Sequence, residues 1–110
     1  MQHFRVPELL STREPGVHTY EDFFTGELLS LGLSVWPADQ PDNQEPHAED
    51  EVYFVIAGRG RIRVGDEDEP VEAGSIVFLP TGVVHCFHRI EEDLKVLVFW
   101  APPHHSPART

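Results

Sequence analysis

A chain of 110 residues is one domain's worth of polypeptide, and its 40% hydrophobic and 25% charged content is ordinary for a soluble globular protein. A formal net charge of -11 argues against nucleic acid or an anionic membrane surface as partner, because both require basic patches. No apolar run approaches a membrane span, Met1–Arg5 carries no secretory signal, and the single Cys86 cannot close an intrachain disulfide, so a cytoplasmic protein is expected.

In chain order, residues 1–26 are weakly patterned. Met1–Leu10 reads as an extended arm or edge strand, Ser11–Gly16 as a loop, and Glu21–Gly26 as either a helical turn or a strand end. From Glu27 the pattern sharpens. Leu29, Leu31, Leu33 and Val35 recur every second residue, the period of a half-buried strand, and Trp36-Pro37 ends it. Ala38–Gln44 is a polar, proline-bearing loop. Short strands then follow over Glu51–Ala57, Arg61–Val64, Ser75–Leu79, Val84–Ile90 and Leu94–Trp100, each closed by Gly, Pro or acidic residues. Such repeated short strands without a helical period predict an all-β antiparallel sandwich or barrel. A single β domain over 27–101 is thus flanked by an arm or edge strand (1–26) and a flexible tail (102–110).

Several conspicuous residues have structural explanations. Arg59, Arg61 and Arg63 alternate with Gly60, Ile62 and Val64, as on the wet face of a strand. The acidic run Asp66–Glu69 reads as a solvated turn, lacking the spaced ligands of a calcium loop. Trp36 and Trp100 read as core or interface aromatics. Cys86 falls on the opposite face from His85 and reads as a small buried hydrophobe. His104-His105 lies in the tail, where metal binding would be adventitious.

Two stretches carry the chemistry. Glu45-Pro46-His47-Ala48-Glu49-Asp50-Glu51 leads into the apolar strand Val52–Ile56, and Gly74–Gly82 leads to His85. Side chains of like parity share a face, so Glu45, His47, Glu51 and His85 converge if these faces all point inward, with Tyr53 on the face of Glu51 and Arg89 on that of His85. Two histidines and a carboxylate with positions left open resemble the ligand set of non-haem iron sites. The structural alternative stands beside this: His47 caps a turn, His85 is a hydrogen-bonded core histidine, and Glu51 pairs with Arg89.

The spacing of these residues is similar to that of the cupin family. Glu45-x-His47-x3-Glu51-x6-Gly58 resembles its first motif, G-x5-H-x-H-x3,4-E-x6-G. Gly74-x5-Pro80-x-Gly82-x2-His85-x3-Arg89 resembles its second, G-x5-P-x-G-x2-H-x3-N. The chain departs at three positions: Asp39 for the opening glycine, Glu45 for the first histidine, and Arg89 for the closing asparagine. The resemblance implies a double-stranded β-helix (jelly-roll) barrel of the small single-domain type, commonly dimeric, commonly holding one divalent metal. Carried over by position, the ligands are His47, Glu51 and His85, with Glu45 a further ligand or a non-ligand.

Iron(II) or manganese(II) is favoured by that donor set, with zinc and nickel also compatible. Arg89 needs a partner if it faces inward: either a carboxylate such as Glu45, or a small acid substrate. With Tyr53 it forms the expected substrate-binding pair. The expected function is a metal-dependent oxygenase or isomerase acting on a small polar or acidic molecule; the alternative is a non-catalytic module binding metal or a small ligand. The outward apolar face of Val52, Phe54 and Ile56 suits a second sheet layer or the partner of a homodimer.

Overall fold

The computed structural model describes residues 1–14, 16–40 and 46–105, so Glu45 lies outside the described residues. One short helix, α1 (Val6–Leu10), precedes six strands: β1 (Thr19–Thr25), β2 (Ser30–Trp36), β3 (Asp50–Val64), β4 (Glu67–Glu72), β5 (Ile76–Leu79) and β6 (His85–Ala101). All pairings are antiparallel, in the order β1-β2-β6-β3-β4, with β5 pairing β3. The fold is the all-β double-stranded β-helix expected from the motifs.

Two long strands make the barrel. The first half of β3 pairs with the second half of β6 and with β5, while its second half pairs with the first half of β6 and with β4. Register shifts at Ala57, Arg59 and Arg61 mark where β3 bends. Across that bend the sheet folds on itself: Tyr53 stacks on Phe87 at 5.2 Å and Trp36 meets Phe87 at 5.9 Å, although none of these is a ladder partner of the other. Val55, Ile62, Leu79, Leu94, Val96 and Val98 complete a core drawn from both halves. The breaks expected at Gly58–Gly60 and Glu91–Asp93 are therefore bends within continuous strands.

Four expectations need correction. Met1–Leu10 is not an extended arm, since Val6–Leu10 is helical with Pro7 in its first turn, a position where a missing N–H costs nothing. The acidic run is not a solvated turn. Only Gly65-Asp66 turns, and Glu67–Glu72 is a strand whose Asp68 pairs with Arg61, Arg63 and His88. Cross-strand charge pairing stands in for the alternation by which a strand is usually recognised.

β2 is not half-buried either. Its leucine face is covered, and its small face of Ser30, Gly32 and Ser34 is buried as well. Gly32 leaves room for the Tyr20 ring, since an added Cβ would lie 2.0 Å from the Tyr20 hydroxyl. The tail is not free from residue 102, because the His104 N–H donates to Ser30 Oγ at 2.8 Å and its ring stacks on Trp100 at 3.8 Å.

Candidate metal centre

His47, Glu51 and His85 come together, each offering a donor atom within 4.8 Å of the others. They arrive from two directions. Glu51 opens β3, paired across the sheet with Leu79 and Trp100, and its inward side chain is buried. His85 opens β6, and His47 sits on the approach to β3.

The turn of the second stretch fixes the loop of the first. The Gly82 N–H donates to the His47 carbonyl at 2.9 Å, and Asp50 Oδ1 accepts from both the backbone N–H and the hydroxyl of Thr81 at 2.8 Å. His85 Nδ1 lies 3.1 Å from the Val83 carbonyl. A carbonyl only accepts, so Nδ1 carries the hydrogen and Nε2 presents its lone pair inward.

The donor set fits a divalent ion. The Nε2 atoms of His47 and His85 are both buried and neither makes a hydrogen bond. Left alone, each buried acceptor would cost about 1–3 kcal/mol. His85 Nε2 lies 3.4 Å from Glu51 Oε2, too long for a hydrogen bond but an ordinary separation for two ligands of one ion. Burial holds the His47 pKa below its ordinary value, reinforced by the neighbouring His104 and His85. His47 is thereby kept neutral, the form that ligates metal.

Beside these residues lies a cavity of about 140 Å³. Tyr20, Trp36, Tyr53 and Trp100 form its aromatic walls, and Val98, His18 and His104 also line it. Ser34 Oγ, buried and without a hydrogen bond, also faces this space. Tyr20 is committed: its hydroxyl donates to Asp22 and accepts from Trp100 Nε1 at 2.6 Å. Burial and the Asp22 carboxylate push its pKa far above the ordinary value, so it stays a phenol. A larger hollow of about 330 Å³ between β4 and β5 has no histidine or cysteine in its lining.

Among the expected substrate-binding residues, Tyr53 lines the cavity at 2% exposure. Arg89 does not. Its backbone turns left-handed (φ 47°), which breaks the alternation of β6, sends its side chain outward and gives the inward slot to Ile90. Neither the ion pair with Glu51 nor an anchor inside the cavity is formed by Arg89. Gln44 and Glu45 lie outside the described residues. Sequence reasoning missed Tyr20, Ser34, His18 and His104. The small residues of β2 were the available signal, because a Ser-x-Gly-x-Ser face marks a place where something bulky must lie close.

These features define the class of protein. Residues 33–101 match the family described as the cupin domain, and the chain belongs to the cupin family. An uncharacterized protein of Streptomyces coelicolor is 47% identical over 94% of this chain and 98% of its own length. Among solved structures, a cupin with a double-stranded β-helix fold from Methanocaldococcus jannaschii superimposes with a TM-score of 0.71 at 19% identity, covering 83% of this chain and 85% of that one. The DMSP lyase DddQ from Ruegeria pomeroyi superimposes with a TM-score of 0.74 at 21% identity over 82% of this chain. The chain spans about half the length (49%) of that lyase, and at such identities both likenesses are of fold.

Proposed function

We propose that this cupin is a mononuclear metal protein in which His47, Glu51 and His85 hold one divalent ion, and that it acts as a metal-dependent enzyme, an oxygenase in the first instance, on a small molecule bound in the adjoining cavity. The observation that carries this reading is the pair of buried Nε2 atoms, each without a hydrogen bond, on two histidines whose donor atoms cluster within 4.8 Å of the Glu51 carboxylate. Two imidazoles and one carboxylate favour iron(II) or manganese(II), with zinc and nickel compatible. Such an ion would supply a Lewis-acidic centre with open positions, and iron would add reactivity towards dioxygen.

The surrounding residues bind and exclude water. The aromatic walls pack a compact apolar or aromatic body, and Ser34 Oγ offers one hydrogen bond to it. No lysine or arginine lines the cavity among the described residues, so the polar or acidic substrate expected with Arg89 inside narrows to a molecule with little net charge and one oxygen donor for the ion. Tyr20, held as a phenol, positions and does not abstract a proton. The lyase that shares the fold is compatible with an enzyme here, but a shared fold carries no reaction across.

Elemental analysis of protein purified without added metal tests the site. The His47→Ala, His85→Ala double variant is expected to hold about one equivalent less transition metal than the wild type. Equal metal in both proteins overturns the assignment. Metal without dioxygen consumption, across a panel of compact aromatic and aliphatic alcohols and ketones, would favour the alternative of a non-catalytic binding module.

A homodimer is part of the same proposal. On the outer face, Phe78, Val52 and Phe99 form one row across three strands, and Ile76, Phe54 and Leu97 form the next, both rows ending at the covered leucine face of β2. Ile76 is 70% exposed and Phe78 57% exposed, an apolar patch that suits a second copy of the chain. A reducing, cytoplasmic setting belongs to the same reading, since the sequence has a single cysteine, Cys86.

A further inference from the structure

We propose that Asp22, His104 and His105 form a second, outer divalent-metal site beside the cavity that His104 lines. From sequence alone the two histidines have no third ligand. The fold supplies one by laying residues 102–105 beside β1, where the donor atoms of Asp22, His104 and His105 fall within 4.8 Å of one another. His104 Nδ1 is 3.0 Å from both Asp22 carboxylate oxygens, and His105 Nε2 is 3.9 Å from Oδ2. Ligands about 2.0–2.2 Å from a common ion sit about 3–3.5 Å apart, so the first pair is already at ligand spacing and His105 needs a shift of about half an ångström.

Two of the three ligands are held in place before any ion arrives. Asp22 accepts from the Tyr20 hydroxyl, which is itself fixed by the Trp100 indole N–H. The His104 side chain, 9% exposed, lies flat on Trp100, and its backbone N–H is tied to Ser30 Oγ. Outer partners of this kind orient ligands in metal sites. His105, 78% exposed, leaves the site open to solvent and to ions drawn by the net charge of -11.

An ion here takes the place of the hydrogen that His104 Nδ1 directs at Asp22, and the neutral imidazole then carries its hydrogen on Nε2. Two imidazoles and a carboxylate, the same donor types as at the inner site, are compatible with zinc, whose lack of redox chemistry makes it the convenient probe. Binding would pin the segment after β6 against the cavity that His104 lines, where the His104 ring is 5.6 Å from that of His47. The outer site uses none of the inner ligands and stands whether or not the inner site binds metal.

The experiment counts zinc(II) bound to metal-stripped, full-length protein in competition with a chromophoric chelator. Two equivalents are expected for the wild type, and one for His105→Ala and for Asp22→Asn. The exposure of His105 makes its replacement harmless to the fold, which circular dichroism checks. His47→Ala with His85→Ala should lose the other equivalent and keep this one. The proposal is overturned if both outer variants bind as much zinc as the wild type, meaning that other surface histidines hold it. It is equally overturned if the wild type binds a single equivalent that vanishes in the inner double variant. A single equivalent lost in His105→Ala but kept in the inner variant would sustain the outer site and sink the inner one.

Discussion

Asp39 and Arg89 stand where the cupin motifs carry glycine and asparagine, and both have left-handed backbones, with φ of 61° and 47°. The departures are thus matters of main-chain conformation as much as of chemistry. Asp tolerates this region through its short polar side chain, whereas arginine pays about 1–3 kcal/mol for it. Arg89→Asn is expected to stabilise the protein by about 0.5–1 kcal/mol and to leave metal content unchanged. A lower melting temperature, or loss of metal, would show that the guanidinium has a role the geometry does not give it.

His47 supplies a pH signature at the same scale. Its folded pKa lies below the ordinary 6.5, so the unfolded chain takes up its proton first as pH falls. The stability it contributes is complete above about pH 6.5 and is lost as pH falls towards the lowered folded value. In metal-stripped protein, His47→Gln should flatten the fall of the urea midpoint between about pH 7 and 5, relative to wild type. Parallel curves for the two proteins would contradict that sign.

At the scale of elements, the barrel depends on how sharply β3 bends. Gly58 sits in that bend with φ 94°, and a Cβ there would lie 2.1 Å from the Asp93 carbonyl oxygen. Backbone cannot withdraw as a flexible side chain can. Gly58→Ala is therefore expected to cost about 2–4 kcal/mol and to lower the melting temperature by about 10 °C or more; a shift of only a degree or two would mean that β3 re-registers freely.

The same elements show what the sequence discloses. Glu51–Ala57 and Leu94–Trp100 were legible because their alternation matches a buried inner face and an apolar outer one. His47, Glu51 and His85 were legible because the motif spacing marks the start of paired strands. β4 was hidden because its pairing with β3 rests on Asp68 opposite arginines, and charge carries no strand period. Arg89 was misplaced because parity counting assumes an unbroken strand, and one left-handed residue reverses every face after it. His104 was missed because its place depends on Trp100 and Ser30, contacts made only once β2 and β6 are paired.

For the whole molecule, the question is what covers the outer face. The inner rows of the sheet end in Glu51, Tyr53 and Val55, and the outer rows, one residue out of phase, end in Val52 and Phe54, so a single strand serves the cavity and the patch without mixing them. That separation makes the dimer testable apart from the metal. Phe54→Glu with Phe78→Glu places charges in both outer rows and touches no residue that lines the cavity. In light scattering after gel filtration, the wild type should have the mass of two chains and the double variant the mass of one, with self-association at least about ten-fold weaker, since burying an unpaired carboxylate costs more than the 1.4 kcal/mol that a factor of ten represents. Metal content should be equal in the two proteins. A wild type that runs as one chain would remove the dimer from the proposal. A dimeric double variant would move the interface elsewhere on the barrel. If the variant lost its metal on becoming monomeric, the face and the cavity would be coupled through β3, contrary to the separation that the strand's alternation implies.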